Sequence, residues 1–208
     1  MEVYGTKPKM FTKEWRGYFW DYYKWHTIGG LFAAGLIIYS CVQCATAVQY
    51  DLQVDYISEN GILEETRDAL TELIKNNIDD ANGNDSVDAF VLSLNMAETQ
   101  DVQMTQAMQT KMMLEQGYSE SFVFILSKKY ADIFTESEVL ENNSVWAGDR
   151  ADEACVVSLD GSSVLEEFGI DTSDLYIGVR KMRSDEQDKE EKTAEYKNGI
   201  KLAQYLIQ

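Results

Sequence analysis

An uncharged stretch near the amino terminus limits what this chain can fold into. Residues Thr27 to Val48 form a run of 22 residues without Lys, Arg, Asp or Glu. As a helix that rises about 1.5 Å per residue, the run is about 33 Å long, enough for a hydrocarbon core of about 30 Å. We therefore predict a transmembrane helix over residues 27–48, between a leader of residues 1–26 and a domain of residues 51–208.

Charge is distributed unevenly around this predicted helix. Residues 1–26 have five Lys or Arg and three Asp or Glu, whereas residues 51–208 have 13 basic and 33 acidic residues. Because Lys and Arg favour the cytoplasmic side, we expect a single-pass protein of the cell membrane with a cytoplasmic leader and an extracytoplasmic domain. So acidic a domain is unsuited to nucleic acid, whose phosphates need a basic surface.

The leader is rich in aromatic residues. Trp15, Tyr18, Phe19 and Tyr22 follow helical spacing beside several basic residues, a pattern typical of a helix at the level of the lipid headgroups. We expect residues 11–48 to contact membrane lipid.

The apolar run has further features that leave alternatives open. Small residues recur four apart in GGLFAA, residues 29–34, a spacing that allows a second helix to pack closely, so a homodimer through the span is one alternative. The ATA triplet of residues 45–47 has the small-x-small pattern of a signal-cleavage site, and Cys41 follows a run that resembles a lipobox. A secreted or lipid-anchored form is therefore the alternative to the uncleaved anchor.

Residues 51–208 alternate between segments typical of strands and of helices. Apolar residues that recur every second residue predict strands, and a 3.6-residue period predicts helices. The predicted strands are Leu52–Ser58, Ala89–Leu94, Ser121–Leu126, Ala154–Ser158 and Leu175–Val179. The predicted helices are Glu64–Lys75, Asp101–Gln116, Lys128–Thr135, a turn at Ser163–Phe168, and Thr193–Gln208. This order predicts a single α/β domain with helices on the faces of its sheet.

Two segments of this domain allow a more specific prediction. Met104, Met108 and Met112 are spaced four apart on the predicted helix; without an accompanying His or Cys this spacing favours core packing over a copper site. Residues 183–192 are a run of mixed charge, which predicts a solvated linker.

The middle and end of the chain resemble a known class of domain. QAMQTKMMLEQG, SFVFIL and KKYADIF, within residues 106–136, resemble a helix, strand and short helix in one lobe of the extracellular solute-binding proteins. ACVVSLDGSSVLEEFGIDTSDLYIGVRKM, residues 154–182, is similar to the segment that completes that lobe. Together with WDYYKWHTIGGLF, residues 20–32, the chain resembles uncharacterised single-span membrane proteins of Gram-positive bacteria. The resemblance implies a periplasmic-binding-like single lobe outside the cell.

Six polar residues are candidates for a ligand site. In α/β sheets ligands bind beyond the carboxyl ends of the strands. The residues at those predicted ends are Ser58, Glu59, Asn60, Asn95, Ser127 and Lys128.

A second candidate site is a loop with oxygen-bearing side chains at alternate positions. Asp80, Asn82, Asn84 and Asp88 match positions 1, 3, 5 and 9 of a calcium loop. Asp85 stands where such loops have Gly, and Val91 stands where they have a bidentate Glu, so the departures favour a polar turn, with a weak calcium site as the alternative. Calcium is the only cofactor that the sequence suggests.

The sequence favours binding over catalysis. The chain has one His, His26, and no G-x-S-x-G, H-E-x-x-H or P-loop pattern, so we expect no enzyme. A solute-binding protein needs two lobes that close on a ligand, and this chain has length for one. We therefore expect a membrane-anchored interaction or scaffold module that binds a membrane or envelope protein. The alternative is a ligand-sensing or solute-binding module for a small molecule or peptide.

Overall fold

The computed structural model describes residue 10 and residues 12–45, 48–97 and 101–208, with the backbone alone for residues 21, 22, 44 and 45. The chain divides into two compact units, Met1–Val48 and Gln49–Gln208.

The first unit contains one long helix, α1 (Lys13–Ala45). Within it, and within the described residues, Tyr23–Gln43 is long and apolar enough to cross a membrane. This segment overlaps most of the predicted 27–48 and begins four residues earlier. Aromatic side chains four apart stack along the first turns of α1, up to the start of this segment, with 5.4 Å between the ring centroids of Trp15 and Phe19 and 5.9 Å between those of Phe19 and Tyr23.

The second unit is a mixed α/β domain, as the sequence predicts. Its strands are β1 (Leu52–Ser58), β2 (Ala89–Asn95), β3 (Val123–Ser127), β4 (Val156–Ser158) and β5 (Leu175–Val179). Its helices are α2 (Glu64–Lys75), α3 (Val102–Tyr118), α4 (Lys128–Glu136), α5 (Ser163–Glu166) and α6 (Glu190–Leu206). Short 3-10 turns lie at Asn143–Val145 and Gly148–Arg150.

The strands of the described residues form one sheet in the order β2-β1-β3-β5-β4. β1 is parallel to both of its neighbours, β2 and β3, whereas β5 is antiparallel to β3 and β4. The parallel pairs follow from the crossover helices α2 and α3, which return the chain to the same end of the sheet. The carboxyl ends of β1 and β3 therefore lie side by side.

Each face of the sheet is covered by a different set of helices. Leu52, Val54 and Tyr56 of β1 alternate toward a core completed by α2 and α6. Ile57 points to the opposite face, where it packs in a second core with side chains of β3 and α4 such as Phe124 and Phe134. The period-two pattern of β1 sets this division, because successive side chains of a strand point to opposite faces.

The prediction that residues 183–192 form a solvated linker is wrong for Glu186. Glu186, near the middle of residues 183–192, is only 1% exposed. Its carboxylate accepts hydrogen bonds from Nη1 and Nη2 of Arg180, both at 2.9 Å, and from the backbone N–H and a guanidinium N–H of Arg183. The guanidinium of Arg180 also lies 4.3 Å from the centre of the Phe122 ring. Because Glu186 pairs with Arg180 outside the segment, the composition of the segment alone did not indicate burial.

The predicted core packing of the methionines holds for Met112 alone. Met112 is buried in the second core, whereas Met104 is exposed and Met108 is half-buried. All 17 residues of α3 lie in the described part of the chain, and Met112 is the one that is buried. The apolar residues of α3 are distributed around the helix, so only one side of it contacts the sheet.

Candidate functional site

The sheet brings four of the six predicted ligand residues to one cavity. Ser58, Glu59, Asn60 and Ser127 line a cavity of about 250 Å³ at the carboxyl ends of β1 and β3. The Ser127 hydroxyl donates a hydrogen bond of 2.6 Å to a carboxylate oxygen of Glu59. The Ser58 hydroxyl oxygen accepts a bond of 2.9 Å from the backbone N–H of Gly61. These residues meet because β1 and β3 are parallel neighbours.

The other two predicted ligand residues do not line this cavity. Asn95 ends β2 beside Ser58 and accepts a hydrogen bond from the backbone N–H of Ala97. It also lies against Gly61, where an added Cβ would be 3.1 Å from the Asn95 Cβ. The side chain of Lys128 is exposed, and its backbone N–H donates to the carbonyl oxygen of Asp174.

Part of the cavity wall comes from a segment that the sequence prediction missed. Residues 169–174, before β5, contribute Asp171, Ser173 and Asp174, and Tyr56 of β1 also lines the cavity. Burial raises the pKa of the Tyr56 hydroxyl, a hydrogen bond with Ser58 opposes this rise, and the charge of Asp171 adds to it. Hydrogen bonds from Ser173 lower the pKa of Asp171. The D-x-S motif of residues 171–173 is typical of a turn, but it does not indicate that this turn lies beside β1.

Carboxylates dominate the charge of this cavity. Glu59, Asp171 and Asp174 line it together with uncharged polar groups and the apolar side chains of Ile62 and Ile170. The arrangement disfavours an anionic ligand and is compatible with a small cationic or hydroxylated one.

The oxygens of the predicted calcium loop accept hydrogen bonds within the loop. The carboxylate of Asp80 accepts from the backbone N–H groups of Gly83 and Asp85, and Asn82 accepts from the N–H of Asn84. The side-chain oxygen of Asn84 accepts from the backbone N–H of Ser86, and the Ser86 hydroxyl lies within hydrogen-bond distance of both Asn84 and Asp88. His, Cys, Asp and Glu side chains form no group of three or more that could hold a metal ion among the described residues. Calcium binding at this loop stays a prediction.

A buried carboxylate fixes the same loop to β1. Asp51 is fully buried and accepts hydrogen bonds from the backbone N–H groups of Ala81, Asn82 and Asp88, at 2.7–3.1 Å. These bonds satisfy both carboxylate oxygens, as a buried charge requires. Asp51 therefore has a structural role that was not predicted.

A second, larger groove lies between α3 and α4. It has a volume of about 690 Å³, and methionine side chains at positions 96, 108, 112 and 113 form much of its wall. Its other lining residues are Ala97, Thr105, Gln109, Lys129, Tyr130 and Ile133. Lys129 is the one charged residue in the described lining. Methionine is flexible and polarisable, so such a wall can adapt to an apolar partner.

Polar groups around Asp55 of β1 hold the carboxyl-terminal end of α3. Asp55 is fully buried and accepts hydrogen bonds of 2.9 Å from the Ser119 hydroxyl and 2.6 Å from the Ser121 hydroxyl. Burial raises the pKa of the Glu115 carboxyl, and the neighbouring Asp55 raises it further. This end of α3 therefore depends on polar contacts, because Met112 alone provides apolar burial.

Comparison with known proteins identifies no relative. No protein-family model matches this chain, and neither does any curated protein or solved structure. Function is therefore inferred from the geometry of the cavity, the groove and α3.

Proposed function

We propose that this protein is a membrane-anchored, extracytoplasmic interaction module that binds a membrane or envelope protein through α3 and the α3–α4 groove. The observation that supports this most directly is the incomplete burial of α3. Met113 is 71% exposed and Tyr118 is 77% exposed, although both are large apolar residues. The other exposed large apolar residues of α3 are Val102, Met104 and Leu114.

The charge of α3 supports the same proposal. The sequence of α3, VQMTQAMQTKMMLEQGY, has Lys111 and Glu115 as its only charged residues, in a domain with 33 acidic and 13 basic residues. A surface helix of a monomer ordinarily has a charged outer face, and a helix with apolar residues all round is ordinarily covered. Exposed apolar patches of this kind mark interaction sites.

The anchor supports the location of the proposed module. α1 contains a segment fit to cross a membrane, and the residues before it are net basic, which favours a cytoplasmic amino terminus. We propose that the second unit is extracytoplasmic and that it acts by binding, without an enzymatic reaction. The resemblance to single-span membrane proteins of Gram-positive bacteria also supports this proposed location.

Ligand sensing is the second candidate, and the cavity at the ends of β1 and β3 favours it. Its polar groups converge, and Ser127 and Glu59 are already oriented toward each other. Its volume of about 250 Å³ is below the roughly 300–1,000 Å³ that is usual for small-molecule sites. The resemblance to a solute-binding lobe supports this candidate.

In-cell photo-crosslinking of the full chain tests the proposed function. A photoreactive residue replaces Gln106, which is exposed on α3, and a control replaces Lys197, which is exposed on α6. We expect an adduct of defined mass from position 106 that is absent from position 197. The adduct should be lost in Met113→Glu and kept in Met113→Leu, with unchanged thermal unfolding in both variants. Equal adducts from both positions, or none from position 106, would contradict the proposal.

A thermal-unfolding series on the full chain in nanodiscs tests the second candidate. Calcium, a chelator, and panels of sugars, amino acids and short peptides are added in turn. A ligand at about 100 times its dissociation constant stabilises the fold by about 2.7 kcal/mol. A rise in the unfolding temperature that is abolished in Glu59→Gln would favour ligand sensing. If no addition changes the unfolding temperature, the interaction module is the better proposal.

A further inference from the structure

The cavity at the carboxyl ends of β1 and β3 has a floor of buried hydroxyl groups. Tyr56, Ser58 and Ser127 line it and are 6%, 6% and 4% exposed. Asp171 and Asp174, which also line it, are exposed, so the cavity is open to solvent on their side. A concave site in which polar groups converge on a buried floor is the usual form of a small-molecule site.

Two serine hydroxyls in this cavity already donate their hydrogen to a carboxylate. The Ser127 hydroxyl donates to Oε2 of Glu59 at 2.6 Å. The Ser173 hydroxyl donates to Oδ1 of Asp171 at 2.7 Å, and the backbone N–H of Ser173 donates to the same oxygen at 3.1 Å. A hydroxyl has one hydrogen and two lone pairs, so each serine can only accept a hydrogen bond from a ligand.

The carboxylates of the cavity keep acceptor capacity and negative charge. Within the described chain, Oε1 of Glu59 and Oδ2 of Asp171 accept no hydrogen bond. Glu59, Asp171 and Asp174 form no ion pair with a described Lys or Arg, and no described Lys, Arg or His lines the cavity. The cavity therefore suits a ligand that is positively charged and that only donates hydrogen bonds.

An organic cation fits this cavity better than a bare metal ion. Calcium takes about six to eight oxygen ligands around one point. Described His, Cys, Asp and Glu side chains form no group of three or more that could hold a metal ion, so the three carboxylates do not converge on one point. Ile62 and Ile170 form an apolar wall in the same cavity, which suits a hydrocarbon chain between charged ends.

The volume of the cavity limits the ligand to a few atoms. About 250 Å³ corresponds to the liquid volume of about eight water molecules, at about 30 Å³ each. A chain of a few carbons with an amine at each end fits this space. Such amines are protonated at neutral pH, because the pKa of an aliphatic ammonium is about 10.4. Each ammonium has three donors and no acceptor, as the cavity requires.

We propose that this cavity binds a short aliphatic diamine, with one ammonium group at Glu59 and Ser127. The other ammonium group would lie near Asp171 and Asp174, and the carbon chain would lie against the apolar wall. The inference goes beyond binding through α3. It rests on ligand sensing, the second candidate function, and names the class of ligand.

Isothermal titration calorimetry of the full chain in phosphatidylcholine nanodiscs tests this proposal. The probe is diaminobutane, a four-carbon chain with an amine at each end. The matched control ligand is butanediol, which has the same chain with hydroxyl groups, and nanodiscs without protein correct for binding to lipid. We expect diaminobutane to bind at least about tenfold more tightly than butanediol.

Two charge-removing variants separate the site from general attraction to an acidic domain. Glu59→Gln keeps an oxygen that can accept from Ser127 and should weaken diaminobutane binding at least about tenfold. Glu190→Gln removes the same charge at an exposed position of α6 outside the cavity and should change binding by less than about twofold. Thermal unfolding should be unchanged in both variants. If Glu59→Gln fails to fold, Asp171→Asn replaces it and should weaken diaminobutane more than butylamine, which has one amine.

Three results would overturn the inference: no binding of diaminobutane, equal binding of butanediol, or equal losses in Glu59→Gln and Glu190→Gln. Calcium that binds more tightly than diaminobutane and depends on Glu59 would overturn it as well, because the site would then be a metal site. A sugar, amino acid or peptide that needs Glu59, without diaminobutane binding, contradicts only the diamine. The crosslinking test of α3 is independent of all these outcomes.

Discussion

Helices α3 and α6 have the same length, 17 residues, but they differ in how much of each the domain buries. In the described chain α6 buries six residues, among them Leu202, Ala203 and Leu206, and α3 buries one. The segment before α6 is further fixed by the ion pair of Arg180 and Glu186. Helix α6 is therefore an integral part of the fold, whereas α3 has apolar surface left for another molecule. Five predictions test this contrast, in order of decreasing effect.

The ion pair before α6 should give the largest effect. Glu186→Gln leaves Arg180 buried without the carboxylate that pairs with both of its Nη atoms, which costs about 3–5 kcal/mol of unfolding free energy. The measurement is chemical unfolding of the full chain in detergent micelles, followed by circular dichroism. Glu190→Gln, an exposed position of α6, is the control and should change the unfolding free energy little.

The same ion pair predicts a dependence on pH. Burial raises the pKa of Glu186, but hydrogen bonds from Arg180 and Arg183 and their charges outweigh it and lower the pKa to about 2, from an ordinary 4.5. A depressed pKa means that the carboxylate stabilises the fold above about pH 4.5 and that this stability disappears as the pH falls toward about 2. The unfolding free energy should therefore fall less between about pH 4.5 and about pH 2 in Glu186→Gln than in the unsubstituted chain. An equal fall in both chains would show that Glu186 is not the group responsible.

Truncation of one apolar side chain in each helix should separate the two helices next. Leu202 of α6 is fully buried, so Leu202→Ala should lower the unfolding free energy by about 2–5 kcal/mol. Met113 of α3 is largely exposed, so Met113→Ala should change it by less than about 0.5 kcal/mol. Chemical unfolding in detergent micelles measures both changes. Similar losses in the two variants would show that α3 is an integral part of the fold after all.

Replacing one glycine by alanine in each helix should change the stability by smaller amounts and in opposite directions. A Cβ at Gly199 of α6 would lie 3.1 Å from Cγ2 of Val123 and 3.3 Å from Cβ of Phe122. Both neighbours are fully buried, so we expect Gly199→Ala to destabilise by about 1–3 kcal/mol, less the gain in helix propensity. A Cβ at Gly117 of α3 meets nothing within 4 Å, so Gly117→Ala should stabilise by about 0.5–1 kcal/mol. Thermal unfolding of the two variants should show a lower unfolding temperature for Gly199→Ala and a higher one for Gly117→Ala.

The smallest effect should come from the polar anchor of α3. The raised pKa of Glu115, caused by burial and then by Asp55, means that its contribution to stability is complete below about pH 4.5 and is lost as the pH rises through its folded-state pKa. Lys111 and Ser119 oppose the rise. Amide exchange over residues 111–118, corrected for intrinsic rates, should be slower at about pH 5 than at about pH 7. Glu115→Gln should remove this dependence; a dependence that persists would implicate another group.

Four of the six candidate ligand residues lie where the local sequence predicts them, at the carboxyl ends of strands. Ser58, Glu59, Asn60 and Ser127 were identified as residues at strand ends, and parallel pairing of β1 with β3 places all four at one cavity. The strands and helices on which they lie follow from periodicity that is local to each segment. The opposite wall, residues 169–175, could not be predicted, because it approaches through the antiparallel pairing of β5 with β3.

The order of strands and helices, the apolar segment of α1, and the bounds of β1, α2 and β5 could all be predicted from the sequence. These features depend on local periodicity, length and the absence of charge. The burial of Glu186, the uncovered surface of α3 and the edge position of β2 emerge only in the folded domain. Each of these depends on neighbours outside the local segment: Arg180 neutralises Glu186, only one side of α3 meets the sheet, and the strand order leaves β2 without a second partner among the described strands.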